Sequence, residues 1–296
     1  MSVIPERIRP GDTIGLIAPA GPVSPGEIEP AISLLNDRGY RVAEGVHLYK
    51  RRGYLAGSDE ERLHDFHEMF LNKTVKAVLC ARGGYGTTRL LDKIDFNIIS
   101  KNPKFFIGFS DVTALLLAVY HITGLAVCHG PMAKATGDYE NNLDSMLKLL
   151  STGSKTSLNF SVVNVLKEGK AVGKLLGGNL SILCSMSGTS FLPSFKDSIL
   201  FIEEKGEPLY RIDRMLTQLK LGGWLNGIRG VIAGSFIDCG DVSEINRLLL
   251  DIFSLDCPVC TGFPAGHGKV NQPLVFGIEA ELNTKELTFM VKPFID

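Results

Sequence analysis

The order of apolar and polar positions in the first half of the chain predicts alternating strands and helices. Short apolar runs typical of buried strands alternate with longer segments whose apolar residues recur at helical spacing. We predict strands at 14–18, 41–44, 76–81, 104–107 and 125–128, and helices at 27–38, 59–71, 87–93 and 111–123. Ser58 and Glu61 have the spacing of a capping box at the start of the second helix. This alternation indicates an α/β fold with a doubly wound, mostly parallel sheet.

The pattern changes after Leu150, where the polar segment 151–157 is rich in turn-forming residues. We interpret this segment as a linker between two domains, residues 1–155 and 156–296. In the second half we predict two strands within 158–176, further strands at 199–202, 230–235 and 258–261, and helices at 179–186, 210–219 and 243–253. The last segment, 274–291, has the pattern of an antiparallel pair. The second domain is therefore predicted to be a smaller α/β or α+β unit.

Composition limits the classes of function. The chain has 296 residues, 45% hydrophobic and 21% charged, with a formal net charge of -1. This balance lacks the basic footprint of a nucleic-acid-binding protein. The longest apolar stretch, 112–127, is too short and too polar to span a membrane, and the first residues lack the apolar core of a signal peptide. We expect a cytoplasmic protein without nucleic-acid or membrane partners.

Cysteine spacing bears on metals and redox chemistry. Cys257 and Cys260 have C-x-x-C spacing, but no second such pair or spaced histidine pair completes a zinc site. The other four cysteines lie in apolar segments and are predicted to be buried, reduced thiols. We therefore expect no metal and no cofactor.

The turn from Gly108 to Asp111 joins a predicted strand to a predicted helix almost without a loop. A serine at such a turn lies at a helix N-terminus, where unpaired N–H groups favour negative charge, so Ser110 is a candidate nucleophile. The alternative is that Ser110 is only a helix cap, which is a common role for serine. The turn also departs from the hydrolase pattern G-x-S-x-G, since Val112 replaces the second glycine.

Other predicted strand ends carry residues that complement a serine nucleophile, and ligands of open parallel sheets bind beyond these ends. The glycine-rich loop 82–87 presents backbone N–H groups suited to an anion, although it is also consistent with a tight turn. His129 follows the predicted strand at 125–128, where it either faces Ser110 or is a structural histidine before a turn. Glu203 ends a strand, and His267 lies between two glycines in a loop. A hydroxyl, an imidazole and a carboxylate are the three groups of nucleophilic catalysis, here in the order Ser110, Glu203, His267.

Six short motifs together resemble the LD-carboxypeptidases of serine peptidase family S66, which include the microcin C immunity peptidases. They are Arg82-Gly-Gly-Tyr-Gly86, Gly108-Phe-Ser-Asp111, His129-Gly-Pro-Met132, Leu176-Gly-Gly-Asn-Leu180, the segment from Phe201-Ile-Glu-Glu to Tyr210-Arg-Ile-Asp-Arg214, and Gly266-His-Gly268. Each motif alone is weak, but six in this order, spread over nearly the whole chain, are specific.

The resemblance implies a role for each matching residue. Ser110 matches the nucleophile, His267 the base and Glu203 the acid of a Ser-Glu-His triad. Glu204 replaces the aspartate that usually follows the acid, so both glutamates remain candidates for that role. The backbone N–H groups of Gly84 and Asp111 match the oxyanion hole. Arg82, Gly83 and Tyr85 are candidates for substrate binding.

The function implied by the resemblance is hydrolysis of the L,D-peptide bond between a diamino acid, diaminopimelate or lysine, and the terminal D-alanine of murein tetrapeptides, in cytoplasmic cell-wall recycling. The resemblance also implies a homodimer. One alternative is a microcin C-type immunity peptidase that cleaves an aminoacyl-sulfamoyl or aminoacyl nucleotide, which needs an aromatic platform for the base. The single tryptophan, Trp224, has the setting of a packing residue at a helix end. Another alternative is a non-catalytic α/β ligand-binding protein in which Ser110 is a cap.

Overall fold

A computed structural model describes residues 2–152, 164–253 and 257–292. The proposed domain boundary at 155/156, most of the predicted linker and the start of the predicted strand pair at 158–176 lie outside the described residues. The strands are β1 (Thr13–Ile17), β2 (Arg41–Glu44), β3 (Val75–Cys80), β4 (Phe105–Gly108), β5 (Val127–His129), β6 (Asn164–Lys167), β7 (Lys170–Asn179), β8 (Ser198–Lys205), β9 (Gly230–Ile237), β10 (Val259–Thr261), β11 (Leu274–Phe276), β12 (Glu279–Asn283) and β13 (Thr288–Val291). The α-helices are α1 (Pro25–Asp37), α2 (Asp59–Leu71), α3 (Phe96–Lys101), α4 (Thr113–Thr123), α5 (Tyr139–Thr152), α6 (Leu180–Met186), α7 (Leu209–Leu221) and α8 (Val242–Ile252).

The first sheet has six strands in the order β11-β5-β4-β3-β1-β2. The five strands from the first half of the chain are parallel, and β11 pairs antiparallel with β5. All residues of β4 and all but one of β3 are buried, as expected for central parallel strands covered on both faces. The prediction of a doubly wound parallel sheet is confirmed.

The second sheet has seven strands in the order β13-β12-β7-β8-β9-β10-β6. Its centre, β7 to β10, is parallel, whereas β6 and β12 pair antiparallel at either side. The prediction of one antiparallel pair over 274–291 is correct only for β12 and β13. Residues Leu274–Phe276 instead cross to the first sheet, because their apolar side chains fill its open edge beside β5 and are buried there.

Helix α4 connects the two sheets. Every residue from Thr113 to Val119 is buried, as expected for a helix that is apolar on all sides. It packs on β4 and β5 of the first sheet and on β7 and α6 of the second. Because this helix begins just after Ser110, the serine turn lies where the two halves of the protein meet.

Local sequence signals such as helix caps explain where most helices begin and end. The predicted capping box is present, with the Ser58 N–H donating to Glu61 Oε2 over 2.8 Å and the Glu61 N–H donating to Ser58 Oγ over 3.2 Å. Three details differ from the prediction. Residues Thr87–Lys93 form a 3-10 rather than an α-helix, and the six-residue α3, too short to show a helical period, was not predicted. The 14-residue α5 was not predicted either, although Leu143, Met146, Leu147 and Leu150 recur at helical spacing and are buried. Across the described ranges, no helix has the length and apolar character needed to cross a membrane.

Candidate active site

Ser110 occupies a strained position at the carboxyl end of β4. Its φ angle is +61°, in the left-handed region that costs a non-glycine residue about 1–2 kcal/mol. Residues Ser110–Val112 form a 3-10 turn that leads directly into α4, and the Val112 side chain packs over Gly108, where a Cβ would lie only 2.6 Å from a Val112 methyl. This sharp, strained strand-to-helix turn exposes the hydroxyl. The Ser110 side chain does not cap either helical segment.

A hydrogen-bonded chain joins Ser110 to a histidine and a glutamate from the second half of the protein. His267 Nε2 lies 3.0 Å from Ser110 Oγ, and His267 Nδ1 lies 2.7 Å from Glu203 Oε2. The His267 backbone N–H also donates to Glu203 Oε2 over 3.3 Å. The Glu203 side chain is fully buried, and 18% of the His267 side chain is exposed. The imidazole thus bridges a buried carboxylate and an accessible hydroxyl.

Glycine next to His267 permits this approach. Gly266 has φ +106°, and a Cβ there would lie 2.7 Å from both Glu203 Oε2 and Ser235 Oγ. Ser235 Oγ also accepts a hydrogen bond from the Gly268 N–H over 3.1 Å. The loop is further fixed by the Gly266 N–H, which donates to Asn271 Oδ1 over 2.9 Å.

The two consecutive glutamates of β8 have different partners. Only Glu203 contacts His267. Glu204 Oε2 accepts hydrogen bonds from the Ser181 N–H and Oγ, over 2.8 and 2.7 Å, at the N-terminus of α6. The Glu204 carboxylate therefore joins β8 to the N-terminus of α6 and does not face the imidazole.

Asn179 is a site residue to which the sequence pattern assigned no role. Its Nδ2 donates to Glu203 Oε1 over 3.2 Å and to Glu204 Oε1 over 3.0 Å. Its Oδ1 accepts from the Ile182 N–H, as an N-cap does, and its own N–H donates to Thr113 Oγ1 on α4. Its position, after two glycines and before an apolar helix, is typical of a helix cap, but local spacing carries no signal for contact with both carboxylates.

The glycine loop packs directly on the serine turn. A Cβ at Gly83 would lie 2.9 Å from both Cβ and Oγ of Ser110, and the Gly83 carbonyl accepts from the Gly21 N–H over 3.1 Å. Gly84 has φ +122° and packs against Gly21. Within the described residues, the backbone N–H groups of Gly84 and Asp111 have no hydrogen-bond partner. Both are therefore available to an incoming oxygen.

Buried polar groups support the same loop. Arg62 donates from Nη1 to the carbonyls of Pro19 and Gly86 and from Nη2 to Asp59 Oδ1. These bonds join the loop after β1 to the end of the glycine loop. The Arg62 and Arg89 side chains also hold the pKa of Asp59 well below its usual value, chiefly through the Arg89 hydrogen bonds.

His129 does not contact Ser110 through a hydrogen bond. It is fully buried among the rings of Phe109, Phe201 and Phe276, with centroid distances of 5.8, 5.0 and 5.6 Å. Neither ring nitrogen has a partner in the part of the chain that the structure describes. Burial lowers the pKa of His129 to about 4, so the ring is neutral near pH 7. Of the two open interpretations, the structural one holds.

A cavity of about 300 Å³ opens in front of the Ser110 hydroxyl. Among the predicted residues, Arg82, Gly83 and Gly84 line it together with Ser110 and His267. Tyr85 lines an adjacent groove. The pattern did not single out Lys134 and Lys205, which also line the cavity and give it, with Arg82, a positive character. Lys134 Nζ forms an ion pair with Glu27 Oε1 over 2.5 Å.

One cluster of metal-ligand types lies outside this cavity. His47 Nδ1 and His64 Nδ1 lie 2.8 and 3.5 Å from the same Asp65 Oδ1, and the backbone N–H of His47 donates to Asp65 Oδ2. These hydrogen bonds account for the arrangement without an ion. The expectation of no metal stays a prediction.

Comparison with known proteins identifies the class. The chain matches the LD-carboxypeptidase N-terminal domain over residues 14–130 and the LD-carboxypeptidase C-terminal domain over residues 172–282. It is 40% identical to a probable murein peptide carboxypeptidase of Bacillus subtilis, over 97% of this chain and 94% of that protein.

Solved structures agree with this match. An MccF-like protein from Bacillus anthracis aligns with a TM-score of 0.90 at 28% identity, covering 99% of this chain and 100% of that one. A muramoyltetrapeptide carboxypeptidase from Oxalobacter formigenes aligns with a TM-score of 0.85 at 33% identity, covering 96% and 100%. Fold and matches together define a two-domain α/β hydrolase of the carboxypeptidase class. The chain belongs to the LD-carboxypeptidase family, peptidase family S66.

Proposed function

We propose that this protein is a serine-type LD-carboxypeptidase that removes the terminal D-alanine from murein tetrapeptides. The observation that carries the proposal is the chain of hydrogen bonds from Ser110 through His267 to Glu203, at a cationic cavity. The reaction would serve cell-wall recycling in the cytoplasm, with the protein acting as a homodimer.

The geometry supports an acyl-transfer mechanism. Ser110 Oγ attacks the carbonyl carbon of the residue before D-alanine while His267 Nε2 takes the hydroxyl proton. Glu203 accepts the hydrogen bond from His267 Nδ1, which fixes the tautomer and stabilises the imidazolium. The oxyanion receives the N–H groups of Gly84 and Asp111.

Collapse of the tetrahedral intermediate breaks the C–N bond, and His267 Nε2 returns its proton to the leaving amine of D-alanine. Water then attacks the acyl-serine, with His267 again taking a proton, and releases the shortened peptide. The free carboxylate of the leaving D-alanine fits the positive side of the cavity, where Arg82, Lys134 and Lys205 lie.

The decisive experiment compares Ser110→Ala with the wild-type protein. Purified protein is incubated with a panel of L,D- and D,D-linked muropeptides, and products are identified by mass spectrometry. We expect D-alanine release only from the L,D-linked peptides, and loss of release in Ser110→Ala with an unchanged circular dichroism spectrum. An unchanged rate in Ser110→Ala would exclude both the nucleophile assignment and the triad. A protein that binds the peptides without cleaving them would be the non-catalytic alternative.

The immunity-peptidase activity is a second candidate, because the MccF-like structure aligns closely and exposed aromatic rings lie beside the cavity. These rings are tyrosines. Trp224 packs near Phe195, with ring centroids 6.5 Å apart, and lines neither the cavity nor the adjacent groove. Incubation with an aminoacyl-sulfamoyl adenosine separates the two activities. Faster cleavage of this compound than of the tetrapeptide would favour the second candidate.

A further inference from the structure

A groove of about 560 Å³ adjoins the cavity at Ser110 and is not needed for the bond-breaking step. It shares Arg82 and Gly84 with that cavity, so the two spaces adjoin at these residues. The remaining lining residues come from the loop after β1, the glycine loop and the segment that precedes α2: Gly21, Pro22, Arg51, Gly53, Tyr54 and Tyr85.

Two tyrosines form an exposed aromatic pair in this groove. Tyr54 and Tyr85 are 65% and 49% exposed, and their ring centroids lie 5.6 Å apart at an edge-to-face angle of 66°. Large rings that are this exposed and adjacent to a reactive site are typical of recognition surfaces, because a ligand gains contact area at little cost in side-chain entropy.

Two guanidinium groups border the same pair. Neither Arg51 nor Arg82 forms an ion pair with a carboxylate in the described ranges, and Arg82 donates only a long hydrogen bond, 3.3 Å, to the Pro22 carbonyl. Guanidinium groups without an acidic partner are suited to bind a carboxylate of a ligand in bidentate geometry.

We propose that this groove binds the acidic peptide stem on the amino side of the scissile bond; the proposal rests on the proposed carboxypeptidase function. The leaving residue, D-alanine, is small and fits the confined cavity at Ser110. The remainder of a tetrapeptide is longer and must continue past Arg82 and Gly84 into the adjoining groove. There Arg51 pairs with the free α-carboxylate of the γ-linked glutamate, and the Tyr54 and Tyr85 rings cover the aliphatic stem.

The experiment crosses variants with three substrates that share the same scissile bond. They are the tetrapeptide with glutamate at its second position, the same peptide with that α-carboxylate amidated, and the truncated, N-acetylated dipeptide of the same diamino acid (diaminopimelate or lysine) and D-alanine. In Arg51→Ala we expect the KM for the acidic tetrapeptide to rise about 10- to 100-fold, as for loss of a charge-assisted hydrogen bond, with kcat unchanged. The KM for the amidated and truncated substrates should stay constant.

Matched variants control this comparison. Arg52→Ala removes an exposed arginine from the same loop that does not line the groove, and we expect wild-type kinetics. Tyr54→Phe keeps the ring and should retain the wild-type KM, whereas Tyr54→Ala should raise the KM for both tetrapeptides but not for the truncated substrate.

Three results would overturn the assignment. One is an equal effect of Arg51→Ala on all three substrates, and another is a change in kcat alone. The third is inhibition by adenosine monophosphate that Tyr54→Ala abolishes, since this would identify a nucleobase as the occupant. D-alanine release by the wild-type protein is scored separately, so the carboxypeptidase proposal stands or fails independently of the groove.

Discussion

Thr87 and Asp111 hold each other through two buried hydrogen bonds. The Thr87 N–H donates to Asp111 Oδ2 over 2.9 Å, and Thr87 Oγ1 donates to the Asp111 carbonyl over 2.6 Å. Thr87 ends the glycine loop and Asp111 follows the proposed nucleophile. The pair therefore fixes the two backbone segments that supply the proposed oxyanion donors at a set separation.

Replacing Thr87 by valine tests this coupling. The variant keeps the side-chain shape but removes the Thr87 hydroxyl, and the buried Asp111 carbonyl then keeps only the Thr113 backbone N–H as a donor. The free energy of unfolding should therefore fall by about 1 kcal/mol, the net contribution of one hydrogen bond. The kcat for D-alanine release should fall at least about 10-fold, because loss of one whole oxyanion donor costs roughly 10²–10³. Urea denaturation and steady-state kinetics measure the two effects. Thr88→Val, at the next and less buried position, is the control. Lower stability with unchanged kcat would show that the pair is only structural.

Glu203 and Glu204 should respond differently to the same substitution. Glu203→Gln removes the anion bonded to His267 Nδ1, and we expect kcat to fall about 10⁴-fold, as when the acid of a triad becomes an amide. Glu204→Gln weakens the charge-assisted bonds to Ser181, so it should lower stability by about 1–3 kcal/mol and leave kcat within a few-fold of wild type. Kinetics and thermal unfolding of both variants decide the matter. The reverse pattern would assign the acid to Glu204.

Gly83→Ala should lower kcat about 10²-fold without unfolding the protein. The added Cβ would lie 2.9 Å from Ser110 Oγ, so the hydroxyl must move from its hydrogen-bonded position near His267. A displacement of this kind costs about 10²-fold in kcat. Gly26→Ala, where a Cβ meets nothing within 4 Å, is the matched control and should retain full activity. Equal kinetics in the two variants would contradict the packing described for the loop.

His129 should make the protein sensitive to acid. Because burial lowers its pKa to about 4, below the unfolded value near 6.5, the unfolded chain binds more protons between these pH values. The contribution of neutral His129 to the free energy of unfolding is therefore fully present above pH 6.5 and is lost as the pH falls toward 4. The loss amounts to about 3 kcal/mol at most. Glu203 partly offsets the shift, and His267 adds to it.

The measurement is urea denaturation of the wild-type protein and His129→Leu at several pH values from 4 to 7. Other titrating groups are common to both proteins, so the difference between the two curves isolates His129. We expect the wild-type free energy of unfolding to fall more steeply with acid. Parallel curves would show that the ring is protonated within the fold or hydrated.

The sequence predicted most of the elements because the central strands are apolar runs and the helices have clear caps. Capping at Ser58 and the strand Arg41–Glu44 lie where the pattern indicated. Contacts between segments that are distant in the sequence could not be predicted in the same way. The link from Asn179 to both glutamates depends on the pairing of β7 with β8, where Asn179 lies opposite Glu203. Pairing of this kind is not encoded in local spacing.

Ser110 illustrates a second limit. Its residue type and position left both a nucleophile and a helix cap open, and in the structure the left-handed backbone turns the hydroxyl toward His267. This backbone conformation occurs where Gly83 packs directly on Ser110, a contact between segments that are distant in the sequence. The resemblance motifs indicated the residue, but only the fold shows its conformation.

The last described stretch, 257–292, alternates between the sheets, since β10 belongs to the second, β11 to the first, and β12 and β13 again to the second. His267 lies on the connection from β10 to β11, which is thus anchored at one end in each half. Any hinge motion between the halves must stretch or slacken this connection. The distance between His267 Nε2 and Ser110 Oγ therefore depends on how the two halves are docked. A fragment containing only the first half would lack both His267 and β11, the strand that covers the β5 edge.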